Sequence, residues 1–309
     1  MTPLRLALAY SLDLLAGDPD WFPHPVRFFG AMIKSGERWL RRLGRDPAVE
    51  TLAGAALTGG VVAASWALGK PRNVAWQVML AWTTLATRCL LDEAGAVIGA
   101  LEANDLALAR IRLARIVGRD TEQLGESEIA RAVIETLAES TCDGIVAPLF
   151  WLALAGVPGA MAYKAINTLD SMIGHRDAPY RYFGMVAARL DDAANLVPAR
   201  LTALAISMAA GVHDADATRS LRIWRRDGSL HASPNAGQSE AAMAGALGVR
   251  LGGTNSYDGR EHRGPKLFSE GSLATVQDAR KAVLLVGTVS AIAFGTALLA
   301  LAIRKRARR

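Results

Sequence analysis

Polar side chains of several chemical types are concentrated at residues 163–175, directly after an almost entirely apolar segment. A helix turning about 100° per residue places Lys164, Asn167 and Ser171 on one face, with Asp170 at its border. An unpaired polar group beside an apolar segment costs on the order of several kcal/mol, so this combination of cation, amide and hydroxyl favours a binding site. The alternative is the solvated face of an ordinary amphipathic helix.

Acidic side chains recur on a second predicted helix, which begins at Glu128. Its spacing places Arg131, Glu135 and Glu139 on one face. Two carboxylates one turn apart repel each other unless a cation lies between them, and magnesium binds a few carboxylates together with phosphate oxygens of a substrate. The alternative is a solvated acidic face that Arg131 neutralises.

The turn at residues 118–121 precedes this helix and is compact and polar. Asp120 or Thr121 could cap the N-terminus of a helix. The guanidinium of Arg119 could instead bind a phosphate group.

A second turn, at residues 233–240, contains Ser233, Asn235 and Gly237 and leads into a helix rich in Ala and Gly. The free N–H groups at a helix N-terminus form an anion site, and the alternative is a tight packing turn. The chain contains no P-loop, Gly-x-Gly-x-x-Gly or His-Glu-x-x-His motif.

The loop at residues 17–25 contains a carboxylate, Asp18, an imidazole, His24, and three prolines. Proline fixes the backbone, and a preorganised pair of this kind suits a site, although a lone histidine is often structural. Farther along, Tyr182 lies in an aromatic and cationic stretch that suits a planar ligand or a membrane interface. Arg189 and Asp191 follow at helical spacing, where a buried acid needs a partner.

The composition indicates a membrane protein with substantial polar segments, because 51% of the residues are hydrophobic and 21% are charged. The net charge of +6 comes partly from arginine clusters at residues 41–45 and 304–309, beside apolar segments. Such clusters are typical of topology signals or lipid-headgroup contacts rather than of nucleic-acid binding. The two cysteines, Cys89 and Cys142, lack metal-ligand spacing.

Five apolar segments are candidate membrane spans. They are residues 51–69, 74–91, 145–162, 196–212 and 282–303. The arginine clusters require an even number of crossings between them, so we expect that one segment does not cross. The candidates are residues 145–162, which prolines and glycines would make re-entrant, and residues 196–212. We therefore predict an all-α, multi-span integral membrane protein, with a single domain over residues 1–309. Its amphipathic helices and long polar segments form a polar cavity.

Several motifs occur together in a fixed order. They are Gly-Asp-Pro and His-Pro within residues 17–25, Gly-Arg-Asp-Thr at 118–121, Glu-Thr-Leu-Ala-Glu at 135–139 with Asp-Gly at 143–144, Tyr-Lys-Ala-Ile-Asn-Thr-Leu-Asp-Ser-Met at 163–172, and Ser-Pro-Asn-Ala-Gly at 233–237. Each is weak alone, but the ordered set covers nearly the whole chain. It resembles the adenosylcobinamide-phosphate synthase family of cobalamin biosynthesis, the CobD/CbiB type. The sequence departs from the family pattern at Ser140, where Asn is expected, and at Gln238 and Ser239, where an aromatic residue and Pro are expected.

The resemblance implies a multi-pass enzyme of the bacterial inner membrane. It implies an ATP-dependent amide ligation that joins adenosylcobyric acid to (R)-1-amino-2-propanol phosphate and gives adenosylcobinamide phosphate. The cofactors implied are ATP and Mg²⁺, with the corrinoid as a substrate. The partners implied are the two substrates and the lipid bilayer, without nucleic acid, and either a second copy of the chain or later membrane enzymes of the corrinoid pathway. A membrane transporter or a non-catalytic membrane sensor for a polar ligand is the alternative function.

The resemblance also suggests roles for individual residues, which we expect to converge in one cavity beside the lipid. Catalytic roles are expected for His24, Glu135, Glu139, Lys164 and Asp170. Substrate-binding roles are expected for Asp18, Arg119, Asp120, Asn167, Ser171, Tyr182, Arg189, Ser233, Asn235 and Gly237. Magnesium is expected at Glu135, Glu139, Asp143 and Asp191.

Overall fold

The protein is described here by a computed structural model, which covers residues 1–19, 21–175 and 179–307. Within them the chain is mainly helical, with a short π-helical turn (Cys142–Val146) and one hairpin of two strands. The elements are α1 (Pro3–Ala16), α2 (Pro25–Leu40), α3 (Pro47–Leu68), α4 (Val74–Trp82), α5 (Thr87–Glu102), α6 (Leu106–Leu113), α7 (Glu126–Thr141), α8 (Ala147–Ile173), α9 (Met185–Ala210), α10 (Ala217–Asp227), α11 (Ala236–Leu247), β1 (Leu251–Tyr257), β2 (Arg260–Leu267) and α12 (Val276–Arg306).

Several helices have the length and composition needed to cross a membrane. Among the described residues they are Pro47–Leu68, Glu126–Ile173, Met185–Ala210 and Val276–Arg306. The predicted fold class, an all-α protein with membrane-spanning helices, is therefore confirmed. Of the residues named in the sequence predictions, Asp20, Arg308 and Arg309 lie outside the described part of the chain.

The span predicted at residues 74–91 is not a single helix, because α4 ends at Trp82 and α5 begins at Thr87. The hydroxyls of Thr83 and Thr84 donate hydrogen bonds to the carbonyls of Leu80 and Ala81, at 2.9 and 2.7 Å. These bonds satisfy carbonyl groups at the end of α4. At about 1.5 Å per residue, α4 is shorter than the bilayer core of about 30 Å, so it is not a span by itself.

Helix α8 is interrupted where the sequence places prolines and glycines. Gly156 has φ 69°, and Pro158 follows it inside the helix. Proline lacks an N–H group, so the preceding turn loses a hydrogen bond. Arg304 donates instead to the carbonyls of Leu154 at 2.8 Å and Ala153 at 3.4 Å. The break in α8 is therefore capped by a side chain from the end of α12.

Contacts between residues group the chain into two compact units. The first contains Met1–Ala86, Ala147–Asn195 and Phe294–Arg309, and the second contains Thr87–Val146 and Leu196–Ala293. The single domain expected over residues 1–309 stays a prediction, as does the convergence of all the candidate residues in one cavity.

In the second unit, helix α11 packs against α7 and α10. Small residues allow the close approach of α10, since a Cβ added to Gly245 would lie 2.8 Å from the Cα of Ser220. On α7, Ile129, Val133 and Leu137 are fully buried, as the helical spacing predicts. The opposite face of α7 is thereby directed away from this core.

Candidate functional site

A cavity of about 400 Å³ lies in the second unit. We call it the hairpin cavity, because residues of β1 and β2 line much of it. The other walls come from the 118–121 turn, α7, α11 and the segment before α11. The lining includes Arg119, Glu135, Glu139, Glu240 and Asn255. Three of the predicted site residues, Arg119, Glu135 and Glu139, are thus brought together.

The carboxylate of Glu135 is held by positive charge on two sides. Its Oε2 lies 2.6 Å from Nη2 of Arg119, and its Oε1 lies 3.2 Å from Nη1 of Arg131. The backbone N–H of Gly252 also donates to Oε1, at 2.7 Å. The side chain of Glu135 is only 6% exposed, and a buried carboxylate needs such compensation. Its position is therefore fixed by its partners.

The guanidinium of Arg131 fastens the hairpin to α7. It donates to the carbonyls of Gly252 at 2.7 Å and Thr254 at 3.4 Å, and to Oδ1 of Asn255 at 3.0 Å. Arg119 donates to the same Oδ1 at 2.9 Å. Asn255 and Glu135 together hold the two guanidinium groups beside each other, although like charges repel.

Asp120 stabilises the turn between the strands. Its carboxylate accepts hydrogen bonds from the Ser256 hydroxyl at 2.5 Å and from the N–H groups of Gly259 at 2.9 Å and Asp258 at 3.1 Å. These bonds hold the pKa of Asp120 below its usual range, Ser256 having the largest effect. The helix cap suggested for Asp120 or Thr121 is wrong, because α7 begins at Glu126 with Gly125 as its N-cap.

Glu240 is a buried acid in this cavity that the sequence reasoning did not select. The residue is 6% exposed. Among the residues that the structure describes, none forms a hydrogen bond or ion pair with it. Burial raises its pKa well above the usual range, and the negative charges of Glu135 and Glu139 raise it further. The sequence feature that could have identified Glu240 is its position as an ionisable residue within the Ala- and Gly-rich sequence of α11.

The predicted magnesium ligands do not fit one metal site. Glu135 is already paired with two guanidinium groups, and Asp143 is in the π-helical turn. Among the described residues, no group of three His, Cys, Asp or Glu side chains could hold a metal ion. Glu139 is exposed and lines the hairpin cavity.

The turn before α11 is built by its own hydrogen bonds. The hydroxyl of Ser233 accepts from the N–H groups of Asn235 and Ala236, both at 3.3 Å. A Cβ on Gly237 would lie 2.5 Å from the Cβ of His231. These contacts agree with the packing-turn alternative. Buried Asn235 accepts from Arg200 at 3.4 Å, and substrate-binding roles for this turn stay predictions.

In the first unit, Asp18, His24, Arg27 and Lys164 interact electrostatically, and we call them the proline-loop cluster. His24 is the N-cap of α2, since its Nδ1 accepts the N–H of Val26 at 3.2 Å. The proton of the neutral ring then lies on Nε2, 3.5 Å from Oδ1 of Asp18. Nε2 is within ion-pair distance of Asp18 but forms no hydrogen bond with it. Because Nδ1 already accepts the Val26 N–H, the geometry gives no support to the expected role of His24 as a base.

Burial has opposite effects on the two titrating groups of this cluster, because it disfavours the charged form of each. It lowers the pKa of His24, an effect that Asp18 opposes and that Lys164 and Arg27 reinforce. It raises the pKa of Asp18, an effect that the positive charges of His24, Lys164 and Arg27 oppose.

The polar face predicted from Lys164 onward is confirmed as part of a helix, since α8 continues to Ile173. Asn167 and Asp170 are partly exposed on it and Ser171 is exposed, whereas the apolar face is buried. The Ser171 hydroxyl donates to the Asn167 carbonyl at 2.9 Å. This local bond leaves the oxygen of Ser171 able to accept a hydrogen bond from a ligand.

The remaining candidates of the first unit differ in burial. Tyr163 donates from its hydroxyl to Asn195 at 2.9 Å, and the Asn195 amide donates to Asp191 at 3.0 Å. These hydrogen-bonded side chains are buried between α8 and α9. Tyr182 and Arg189 are exposed. The partner expected for the acid Asp191 is thus an amide.

The fold and the polar clusters define a class of protein: a helical chain with helices of membrane-spanning length, in which carboxylates and guanidinium groups line a small cavity. A model of the CobD/Cbib protein family matches residues 6–286. The chain is 44% identical over 310 residues to the cobalamin biosynthesis protein CobD of Klebsiella pneumoniae, covering 95% of each chain. It is also 44% identical over 304 residues to the cobalamin biosynthesis protein CbiB of Salmonella typhimurium, again covering 95% of each.

The chain therefore belongs to the CobD/CbiB family, and its general role is in cobalamin biosynthesis. No solved structure matches it. The resemblance inferred from the ordered motifs is confirmed.

Proposed function

We propose that this protein is an adenosylcobinamide-phosphate synthase of the bacterial inner membrane. In this reaction, ATP activates a carboxylate of adenosylcobyric acid as an acyl phosphate. The amine of (R)-1-amino-2-propanol phosphate then displaces the phosphate, so that a C–N bond forms and a C–O bond breaks. The products are adenosylcobinamide phosphate, ADP and inorganic phosphate.

The hairpin cavity supplies the observation that carries this proposal. Arg119 and the unpartnered, buried carboxylate of Glu240 lie on the walls of the same cavity. A guanidinium offsets the charge of a phosphate group, and a desolvated carboxylate attracts a cation or a proton. A phosphorylated amine needs both interactions: its phosphate needs a positive partner, and its ammonium group needs a proton acceptor before the nitrogen can act as a nucleophile.

The proline-loop cluster, considered by itself, contains groups of the kinds that phosphate and proton chemistry use. Lys164 is a cation that offsets phosphate charge, and the Asp18 carboxylate, 3.5 Å from Nε2 of His24, is a proton acceptor. Magnesium would accompany ATP through phosphate oxygens. Because the predicted four-carboxylate ligand set does not fit one metal site, we assign no magnesium ligand and no step through the metal.

The test is a reaction of purified protein in detergent with adenosylcobyric acid, the amine phosphate and Mg-ATP, followed by mass spectrometry. We expect a product whose mass is the sum of the two organic substrates minus one water, and which forms only with ATP. Failure to form product, together with uptake of a corrinoid into protein-containing vesicles, would instead support a transporter.

Replacement of Glu139 by Gln tests the contribution of the hairpin cavity. We expect product formation to be abolished while membrane insertion stays intact, because the charge is removed without changing the side-chain size. Glu126→Gln is the matched control, since Glu126 is exposed in the first turn of the same helix. Unchanged activity of the Glu139→Gln variant would contradict a role for Glu139.

A further inference from the structure

Glu240 is a buried acidic residue of the hairpin cavity that lacks a positively charged partner of its own among the residues that the structure describes. Its carboxylate is more than nine-tenths buried, and no described residue pairs with it. The positive charges that act on it, Arg119 and Arg131, are already shared with Glu135. A buried carboxylate without a partner is costly, so burial favours the protonated form of Glu240 when no ligand is bound. A ligand that brings a positive charge would remove this cost.

The same cavity also offers donors for an anion. Arg119 donates one N–H from Nη1 to Oδ1 of Asn255 and forms an ion pair with Glu135 through Nη2, so other N–H groups of its guanidinium are available. Arg263 also lines the cavity, and within the described part of the chain no hydrogen bond or ion pair occupies it. The walls are therefore complementary to a small molecule that carries charges of both signs.

Size and charge discriminate among the three substrates of the proposed reaction. The volume of about 400 Å³ lies in the lower part of the range for small-molecule pockets, about 300–1,000 Å³. A corrinoid is several times larger than an amino-alcohol phosphate. ATP carries several negative charges without an ammonium group, and the carboxylates of Glu135, Glu139 and Glu240 would repel it.

We propose that the hairpin cavity is the subsite for the amino-alcohol phosphate, with Glu240 binding its ammonium group and guanidinium groups of the cavity binding its phosphate. This assignment rests on the proposed function for the identity of the substrate. It makes Glu240 a catalytic residue as well as a binding residue.

The proton balance of the reaction follows from this placement. The ammonium group transfers one proton to the Glu240 carboxylate and becomes a neutral amine. The amine nitrogen attacks the carbonyl carbon of the acyl phosphate, forming the C–N bond as the C–O bond to phosphate breaks. The second proton lost by nitrogen leaves with inorganic phosphate, and Glu240 returns its proton to solvent.

The first experiment measures binding without ATP, so it does not depend on turnover. Two probes are compared on the purified full chain in detergent by isothermal titration: 1-amino-2-propanol phosphate and isopropyl phosphate, which lacks the amine. Wild type should bind the amine-bearing probe about tenfold more tightly, as expected for one charge-assisted hydrogen bond. Glu240→Gln should reduce this preference to less than about twofold.

Glu261→Gln is the matched control, because Glu261 is exposed on β2 and does not line the cavity. It should keep the tenfold preference. Thermal unfolding and size-exclusion chromatography establish that each variant is folded. If Glu240→Gln does not fold, Glu240→Asp replaces it, and the shorter carboxylate should weaken the amine preference while retaining part of it.

The second experiment measures steady-state kinetics of product formation. Glu240→Gln should raise the KM for the amine phosphate at least tenfold and lower kcat, with the KM values for ATP and adenosylcobyric acid changed less than twofold. An unchanged amine preference and an unchanged KM for the amine phosphate would overturn the subsite. A change confined to the Mg²⁺ requirement would also overturn it.

The two experiments separate this inference from the proposed function. If wild type shows a Glu240-dependent preference for the amine but forms no amide product, the ligase function fails and the binding site stands. If product forms but Glu240→Gln keeps the wild-type preference, the function stands and the subsite fails.

Discussion

The hairpin cavity and the proline-loop cluster both collect acids and bases from distant parts of the sequence, but different contacts hold them. In the hairpin cavity, Glu135 and Arg131 bind backbone groups of the hairpin as well as charged side chains. In the proline-loop cluster, His24 accepts the backbone N–H of Val26 and lies 3.5 Å from Asp18. Charged side chains and backbone groups together hold the first arrangement, whereas the second contains an imidazole whose pKa is lowered by burial.

The largest effect on stability should come from removing Arg131, whose hydrogen bonds join α7 to the hairpin and which pairs with Glu135. Arg131→Ala leaves buried Glu135 with one cation fewer and releases two hairpin carbonyls. Breaking a buried ion pair costs about 3 kcal/mol, so we expect a marked fall in thermal midpoint in detergent. Hydrogen exchange of the hairpin amides should also accelerate.

Arg260→Ala is the control for this change, because Arg260 is exposed on the same hairpin. It should leave both measurements close to wild type. Equal effects of the two substitutions would show that the hairpin is not held by Arg131.

An intermediate effect is expected in the proline-loop cluster. His24→Ala removes the cap of α2, which costs about 1 kcal/mol, whereas His24→Asn retains an oxygen that can accept the Val26 N–H. Hydrogen exchange of the first α2 amides at pH 7.5 should be faster in the Ala variant and near wild type in the Asn variant. Equal protection in all three proteins would exclude the capping role.

The pH dependence distinguishes the two regions further. Because the pKa of folded His24 is lowered from 6.5, protonation favours the unfolded loop. The stability that the neutral ring contributes is complete above about pH 6.5 and declines as the pH falls from there toward the folded-state pKa. Between pH 7.5 and 5.5, wild type should lose α2 protection and His24→Asn should lose less.

The hairpin turn provides the internal reference for this measurement. The pKa of Asp120 is held below its usual 3.8, so its contribution is present above that value and is lost only as the pH falls through the lower folded-state pKa. Exchange of the hairpin amides should therefore show no such loss between pH 7.5 and 5.5. A parallel loss in both regions would contradict the contrast.

The smallest effect on stability is expected for Ser171→Ala. Ser171 is exposed and its hydroxyl bonds only to its own helix in the contacts described above, so the change should be within about 0.5 kcal/mol. If Ser171 binds a substrate, a KM should rise at unchanged thermal midpoint. If all KM values also remain unchanged, the predicted substrate-binding role is removed.

The sequence predicts the helices that carry Lys164 and Glu135, because their apolar residues recur at the helical period. It does not predict the break between α4 and α5, since residues 74–91 are mostly apolar and the interruption depends on local bonds from Thr83 and Thr84. The roles of Asp120 and Glu240 depend on contacts more than 90 residues apart in the chain. The spacing of residues within one helix cannot predict contacts between residues so far apart in the chain. The hairpin also lies in a polar segment whose sequence has no clear periodicity.

Arg304 has a consequence for experiments on membrane orientation. It belongs to the arginine cluster that a charge-counting argument treats as a topology signal, yet its guanidinium also closes the interrupted end of α8. Deleting the whole cluster to invert the protein would therefore change two properties at once. A charge-reversal study should vary Arg306, which is exposed, and retain Arg304, so that any change in sidedness reports charge alone.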